Sequence, residues 1–79
     1  MSITKYKICL SLNIKRLRKD RSLSQEKLAD QAGIDRTLVS KIEGNLGNPT
    51  LAVMVKVATE LDVGVCDLLC PLTERYQTK

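Results

Sequence analysis

Apolar residues recur along this chain at the three- and four-residue steps that place side chains on one side of a helix. Leu10, Ile14 and Leu17 stand at i, i+4 and i+7 inside a stretch from about Thr4 to Arg21, which predicts a long first helix. Two shorter helices are expected next, about Gln25 to Ala32 and about Arg36 to Gly44. Gly44-Asn45-Leu46-Gly47-Asn48-Pro49 gathers residues that stop helices and reads as a loop. Thr50 then caps a fourth helix through Leu61, in which Met54, Val57, Ala58 and Leu61 keep the helical period. A short fifth helix, about Val65 to Leu69, ends before Pro71, which cannot continue the hydrogen-bond ladder. Thr73 to Lys79 has the look of a frayed tail. No stretch alternates long enough to suggest a sheet, so the expected fold class is all-α, a compact five-helix bundle forming one domain.

The segment from Ser24 to Glu43, SQEKLADQAGIDRTLVSKIE, has more specific spacing than the rest. Ser24 can cap the second helix through a side-chain oxygen that takes a free N–H of the opening turn. Leu23 and Leu28 stand at N′ and N4, where a hydrophobic staple forms, and Ile34 and Val39 repeat that placement around a second cap, Asp35. Gly33 sits where the second helix must stop, and glycine reaches the left-handed region at little steric cost. Ala29 is small enough to let the third helix cross closely over the second.

Caps and staples alone would fit an ordinary pair of antiparallel helices in a small bundle. The face left after packing separates the two readings. Leu38, Val39 and Ile42 are apolar, while Arg36, Thr37, Ser40 and Lys41 are polar and can project together from the third helix. Those side chains suit the base edges and phosphates of a DNA major groove.

Length and charge bound the rest. A chain of 79 residues has room for one modest core, since a domain of this size buries only about 60% of its unfolded surface. With no Phe or Trp the core must be aliphatic, and the stacking platform that single-stranded nucleic acid needs is missing. The net charge of +4 is unevenly placed: seven basic residues lie between Lys5 and Arg21 against one acid, Asp20. Such an end attracts polyanions, although most of these side chains would serve as a solvated helix face. Val63, Val65, Cys66, Leu68, Leu69 and Leu72 exceed what one short helix can bury. The expectation is a division, some of them completing the core and the others, drawn from Val65, Leu68, Leu69 and Leu72, forming a symmetric dimer contact.

Cys9, Cys66 and Cys70 are odd in number, and no histidine is present to complete a mixed zinc site. They are expected to be buried free thiols in a reducing cytosol. The apolar run Ile8 to Leu12 is too short and interrupted for a signal peptide or a membrane span, so the expected location is cytoplasmic. Without histidine, a glycine-rich phosphate loop or a placed pair of acids, no catalytic residue, metal, cofactor or small-molecule substrate is expected.

From about Asn13 to Leu69 the chain resembles the phage-repressor-like (XRE, Cro/C1-type) helix-turn-helix regulators. The residues that carry the likeness are IKRLRKDRSLSQEKLADQAGIDRTLVSKIEGNLGNPTL followed by VATELDV. Within that superfamily, GIDRTLVSKIE beside GNPTL looks most like the controller proteins of restriction–modification systems. The resemblance implies a lambda-repressor-like bundle with the helix-turn-helix in the second and third helices. It also implies a homodimeric regulator that binds a pseudo-palindromic, double-stranded DNA operator, including that of its own gene. Arg36, Thr37, Ser40 and Lys41 match the positions of base contacts, with phosphate close to the last two. Ser24 and Gln25, at the start of the second helix, match phosphate contacts, and Gln25 also a buttress of the third helix. Thr50 and Leu51 open the fourth helix, whose free N–H groups form an anion site. Arg18 and Glu43 match an internal salt bridge between the first and third helices.

Two departures alter that picture. Asn45 stands where the family usually has glycine, and asparagine tolerates the left-handed conformation. Leu46 and Gly47 occupy positions often held by Lys or Arg, so loop contacts to phosphate would fall to neutral bonds from Asn45 or Asn48. RNA polymerase is a further partner of any member that activates, and no residue here marks a surface for it. A DNA-tethered antitoxin in a protein complex, or a phage or plasmid repressor of the same fold, are the alternative readings. An antitoxin would need a toxin-binding extension, and only about seven residues follow the bundle.

Overall fold

The computed structural model describes residues 3–70, and within them the chain forms five α-helices. These are α1 (Ile3–Asp20), α2 (Gln25–Ala32), α3 (Arg36–Glu43), α4 (Leu51–Glu60) and α5 (Val65–Leu69). The expected tail and Leu72 lie outside the described residues. No helix among them is long and apolar enough to cross a membrane.

The helix starts follow their caps. The Ser24 side chain accepts from the Lys27 N–H at 3.0 Å and the Thr50 hydroxyl from the Val53 N–H at 3.1 Å, both in extended backbone. At α5 the Asp67 carboxylate accepts from the Gly64 N–H at 3.0 Å. Asp35 departs from expectation. It occupies the cap position of α3 with extended backbone, yet its side chain makes no capping bond. It sits exposed, where a carboxylate is well hydrated and gains little from the bond.

The helix ends share one device that the sequence shows only in part. Ser22, Gly33, Asn45 and Asp62 all have positive φ, at 56°, 71°, 63° and 59°. Each is followed by a residue whose N–H reaches back to a carbonyl five positions earlier. The pairs are Leu23 to Arg18, Ile34 to Ala29, Leu46 to Lys41 and Val63 to Ala58, at 3.0, 3.0, 2.8 and 3.0 Å. This is the Schellman arrangement, in which the residue after the turn is commonly apolar and packs back on its helix. Leu23, Ile34 and Val63 do pack against the core. Leu46 does not, remaining 62% exposed.

The core is aliphatic throughout. Leu10, Ile14 and Leu17 of α1 meet Leu28 and Ala29 of α2, Val39 and Ile42 of α3, Val57, Ala58 and Leu61 around α4, and Leu68 of α5. Leu38, between the polar and buried faces of α3, also packs against this cluster. Leu68 corrects the dimer expectation: it is 0% exposed within a single chain and has no surface left for a partner. Val65 and Leu69 are half-buried. The cysteines correct another expectation. Cys66 is exposed, because α5 has only five residues and turns one side to the core, and Cys9 of α1 and Cys70 at the end of α5 are half-buried.

Among the described residues three polar ones are buried: Ser11, Asn13 and Glu43. Asn13 donates to the Leu68 and Cys70 carbonyls at 2.8 and 3.0 Å, closing the end of α5 onto α1. A buried polar group without such a partner costs free energy, so these bonds hold their elements in one register.

Candidate nucleic-acid interface

Helices α2 and α3 pack on each other through Leu28, Ala29, Val39 and Ile42. Gly33 turns the chain between them with φ 71°. The four side chains expected to read DNA come out on the opposite side of α3. Arg36, Thr37, Ser40 and Lys41 are all exposed, and none has a hydrogen-bond or ion-pair partner among the described residues. At about 100° per residue, Arg36 and Ser40 form one row and Thr37 and Lys41 the next. Their polar groups are thus available to an outside ligand.

The other end of α3 is held from three directions. Arg18 clamps the Glu43 carboxylate in a two-pronged pair, Nε to one oxygen at 2.6 Å and Nη2 to the other at 2.9 Å. Its remaining Nη1 donates to the Leu23 carbonyl at 2.7 Å, so the guanidinium binds inside the fold despite lying in the basic run. Gln25 donates its side-chain amide to Glu43 at 3.1 Å. Ser11 donates its hydroxyl to the Glu43 backbone carbonyl at 2.7 Å.

Burial alone would raise the Glu43 carboxyl. The hydrogen bonds from Arg18 and Gln25, with the nearby charges of Arg18 and Lys15, outweigh it and hold the group below its ordinary value. The same bond, acting against desolvation, raises the Arg18 guanidinium. Both shifts favour the ionised pair.

The expected phosphate positions fall at helix starts and in one loop. Ser24 uses its hydroxyl as a cap, and so does Thr50. Gln25 is half-buried with one amide bond spent on Glu43, which leaves its second N–H to donate outward. Asn45 and Asn48 are exposed in the α3–α4 loop. Leu51 is 65% exposed at the first position of α4, beside the free N–H groups of that turn. Ser11 was not among the sequence candidates. A serine on a helix gives no sign of its partner, and only its place between Leu10 and Ile14 hinted at burial.

Comparison with known proteins fits this geometry. Residues 14–68 match the family model HTH_3, described as helix-turn-helix. A hypothetical transcription factor from Neisseria meningitidis is 41% identical over 68 residues, which is 86% of this chain and 64% of that protein. Its crystal structure superposes with a TM-score of 0.87 at 38% identity, covering 91% of this chain and 83% of that one. The Bacillus subtilis regulator SinR is 39% identical over 84% of this chain and 58% of its own length. The crystal structure of SinR in complex with DNA gives a TM-score of 0.74 at 39% identity, over 77% of this chain and 98% of that one. The restriction–modification controller protein C.AhdI from Aeromonas hydrophila gives 0.75 at 34% identity, over 78% and 94%. The chain therefore spans less than two thirds of the length of the Neisseria factor and of SinR. With these likenesses and this geometry, the chain belongs to the XRE-type helix-turn-helix family, whose members matched here are transcriptional regulators.

Proposed function

We propose that the chain is a sequence-specific, double-stranded DNA-binding transcriptional regulator that acts in the cytoplasm as a homodimer on a pseudo-palindromic operator, that of its own gene included. The observation that carries this reading is the contrast between the exposed face of α3 and its anchored last residue. Arg36, Thr37, Ser40 and Lys41 are exposed and unpartnered within the described fold, while Glu43 is braced by three side chains from α1 and α2.

In this reading Arg36 donates to guanine O6 and N7, Thr37 meets a thymine methyl or a phosphate, and Ser40 and Lys41 reach a further base or phosphate. Ser24, Gln25, Asn45, Asn48, Thr50 and Leu51 supply backbone contacts that fix the register. Two copies present their recognition helices to half-sites one DNA turn apart. Val65 and Leu69 join them, and Leu69 borders a mostly apolar hollow of about 220 Å³ whose wall also includes Lys7 and Asn48. Control of a restriction–modification operon is the narrower form of this proposal, supported by the likeness to C.AhdI.

The test is a gel-shift titration on the DNA immediately upstream of the chain's own gene, with random duplex as competitor. Saturable binding in one or two discrete steps that survives the competitor is expected. Binding no tighter than to random DNA overturns the autoregulatory reading.

A further inference from the structure

The C-terminal end of the recognition helix presents a complete account of its backbone acceptors. A helix leaves its last four carbonyls without partners inside the ladder. In α3 these belong to Ser40, Lys41, Ile42 and Glu43. The first three are satisfied by the turn that follows: Gly44 N–H to Ser40 at 2.9 Å, Leu46 N–H to Lys41 at 2.8 Å and Asn45 N–H to Ile42 at 3.1 Å. These bonds move with the helix and fix nothing about its place in the bundle. The fourth comes from another helix, 32 residues away, where the buried Ser11 hydroxyl of α1 reaches the Glu43 carbonyl at 2.7 Å.

The two holds on Glu43 constrain different things. Arg18 and Gln25 grip the carboxylate at the end of a side chain with three torsions, so the backbone can shift while the ion pair persists. Ser11 grips the main chain through a side chain with one heavy-atom torsion. An eight-residue helix is about 12 Å long and moves as a rod, so a shift at Glu43 is carried to Arg36. Reading base edges tolerates displacements of only about 0.5 Å. Asn45, two residues beyond Glu43, would move as well.

We infer that Ser11 is a positioning residue for sequence discrimination, setting where α3 sits on α1 and hence how Arg36, Thr37, Ser40 and Lys41 meet the bases. This rests on the proposed DNA-binding function and adds to it a residue that touches no DNA. Without the hydroxyl, the Glu43 carbonyl loses its buried donor, and the helix end shifts toward water or rocks on the Arg18 pair.

The experiment uses the full chain as wild type, Ser11→Ala and Ser11→Cys, the last close to serine in size and a weak donor. The probes are duplexes that wild-type protein recovers from a random 24-base-pair library, and an unselected duplex of equal length. Dissociation constants are measured well below the melting temperature of each variant, which is followed by circular dichroism. The expected result is a loss of about tenfold on selected duplex for Ser11→Ala, less than about twofold on unselected duplex, and an intermediate value for Ser11→Cys. An unchanged ratio, even with a lower melting temperature, overturns the inference and leaves the DNA-binding proposal intact. Failure of the wild type to select any sequence overturns both.

Discussion

Arg18 of α1 and Glu43 of α3 lie 2.6 Å apart at their nearest atoms, with the Glu43 side chain 3% exposed and that of Arg18 11%. The pair has the fork geometry that makes arginine–carboxylate contacts strong and directional. It joins the first helix to the last residue of α3, the helix proposed to read DNA. Replacing either partner leaves the other charged and desolvated. Glu43→Ala is expected to destabilise the domain by about 3 kcal/mol, read from urea unfolding. A loss comparable to that of a surface ion pair, under about 1 kcal/mol, would remove the pair from any role in holding α3.

The pair also sets a pH dependence. Its bonds hold the Glu43 carboxyl below its ordinary value, so near that value the folded chain binds fewer protons there than the unfolded chain. The stability it contributes is full above the unfolded glutamate value of about 4.3 and is lost as pH falls through the lower, folded value. The difference in unfolding free energy between wild type and Glu43→Gln should therefore be flat from pH 7 to about 5 and shrink below that. A difference that grows on acidification contradicts the assignment.

Much of this architecture is legible in the sequence because it follows from local rules. The five helices follow from apolar spacing and from punctuation at Ser24, Gly33, Thr50 and Pro71, and their observed ends lie within one residue of expectation. The face carrying Arg36, Thr37, Ser40 and Lys41 follows from the same period. Three-dimensional packing is where the sequence falls short. Leu68 and Leu69 are adjacent and alike in chemistry, yet one fills the core and the other borders a hollow. Ser11 and Asn13 look like surface residues until α3 and α5 supply carbonyls for them. Asp62 and Ser22 resemble ordinary polar turn residues, and their positive φ shows only in the folded chain.

Ser22 gives a stability prediction of opposite sign. An L-residue other than glycine is disfavoured in the left-handed region, and Ser22 is exposed. Ser22→Gly should raise stability by about 0.5–1 kcal/mol, measured as a shift in urea midpoint at unchanged slope. A destabilised variant would mean that the Ser22 side chain contributes more than its backbone strain removes.

The division of α5 between the core and the proposed interface separates two neighbours. Leu68→Ala should destabilise the monomer by about 2–5 kcal/mol. Leu69→Lys should instead leave the helical signal intact and shift sedimentation equilibrium toward monomer. A Leu69→Lys protein that remains a dimer would move the proposed interface away from α5.

The central claim is that the exposed N-terminal half of α3 reads sequence, and Arg36→Ala tests it most directly. Wild type and variant are titrated against a duplex selected by the wild type and against an unselected duplex at one stated salt concentration. The account predicts a loss of about 1–3 kcal/mol on the selected duplex and far less on the other. Equal losses on both would assign Arg36 to the phosphate backbone and contradict the account.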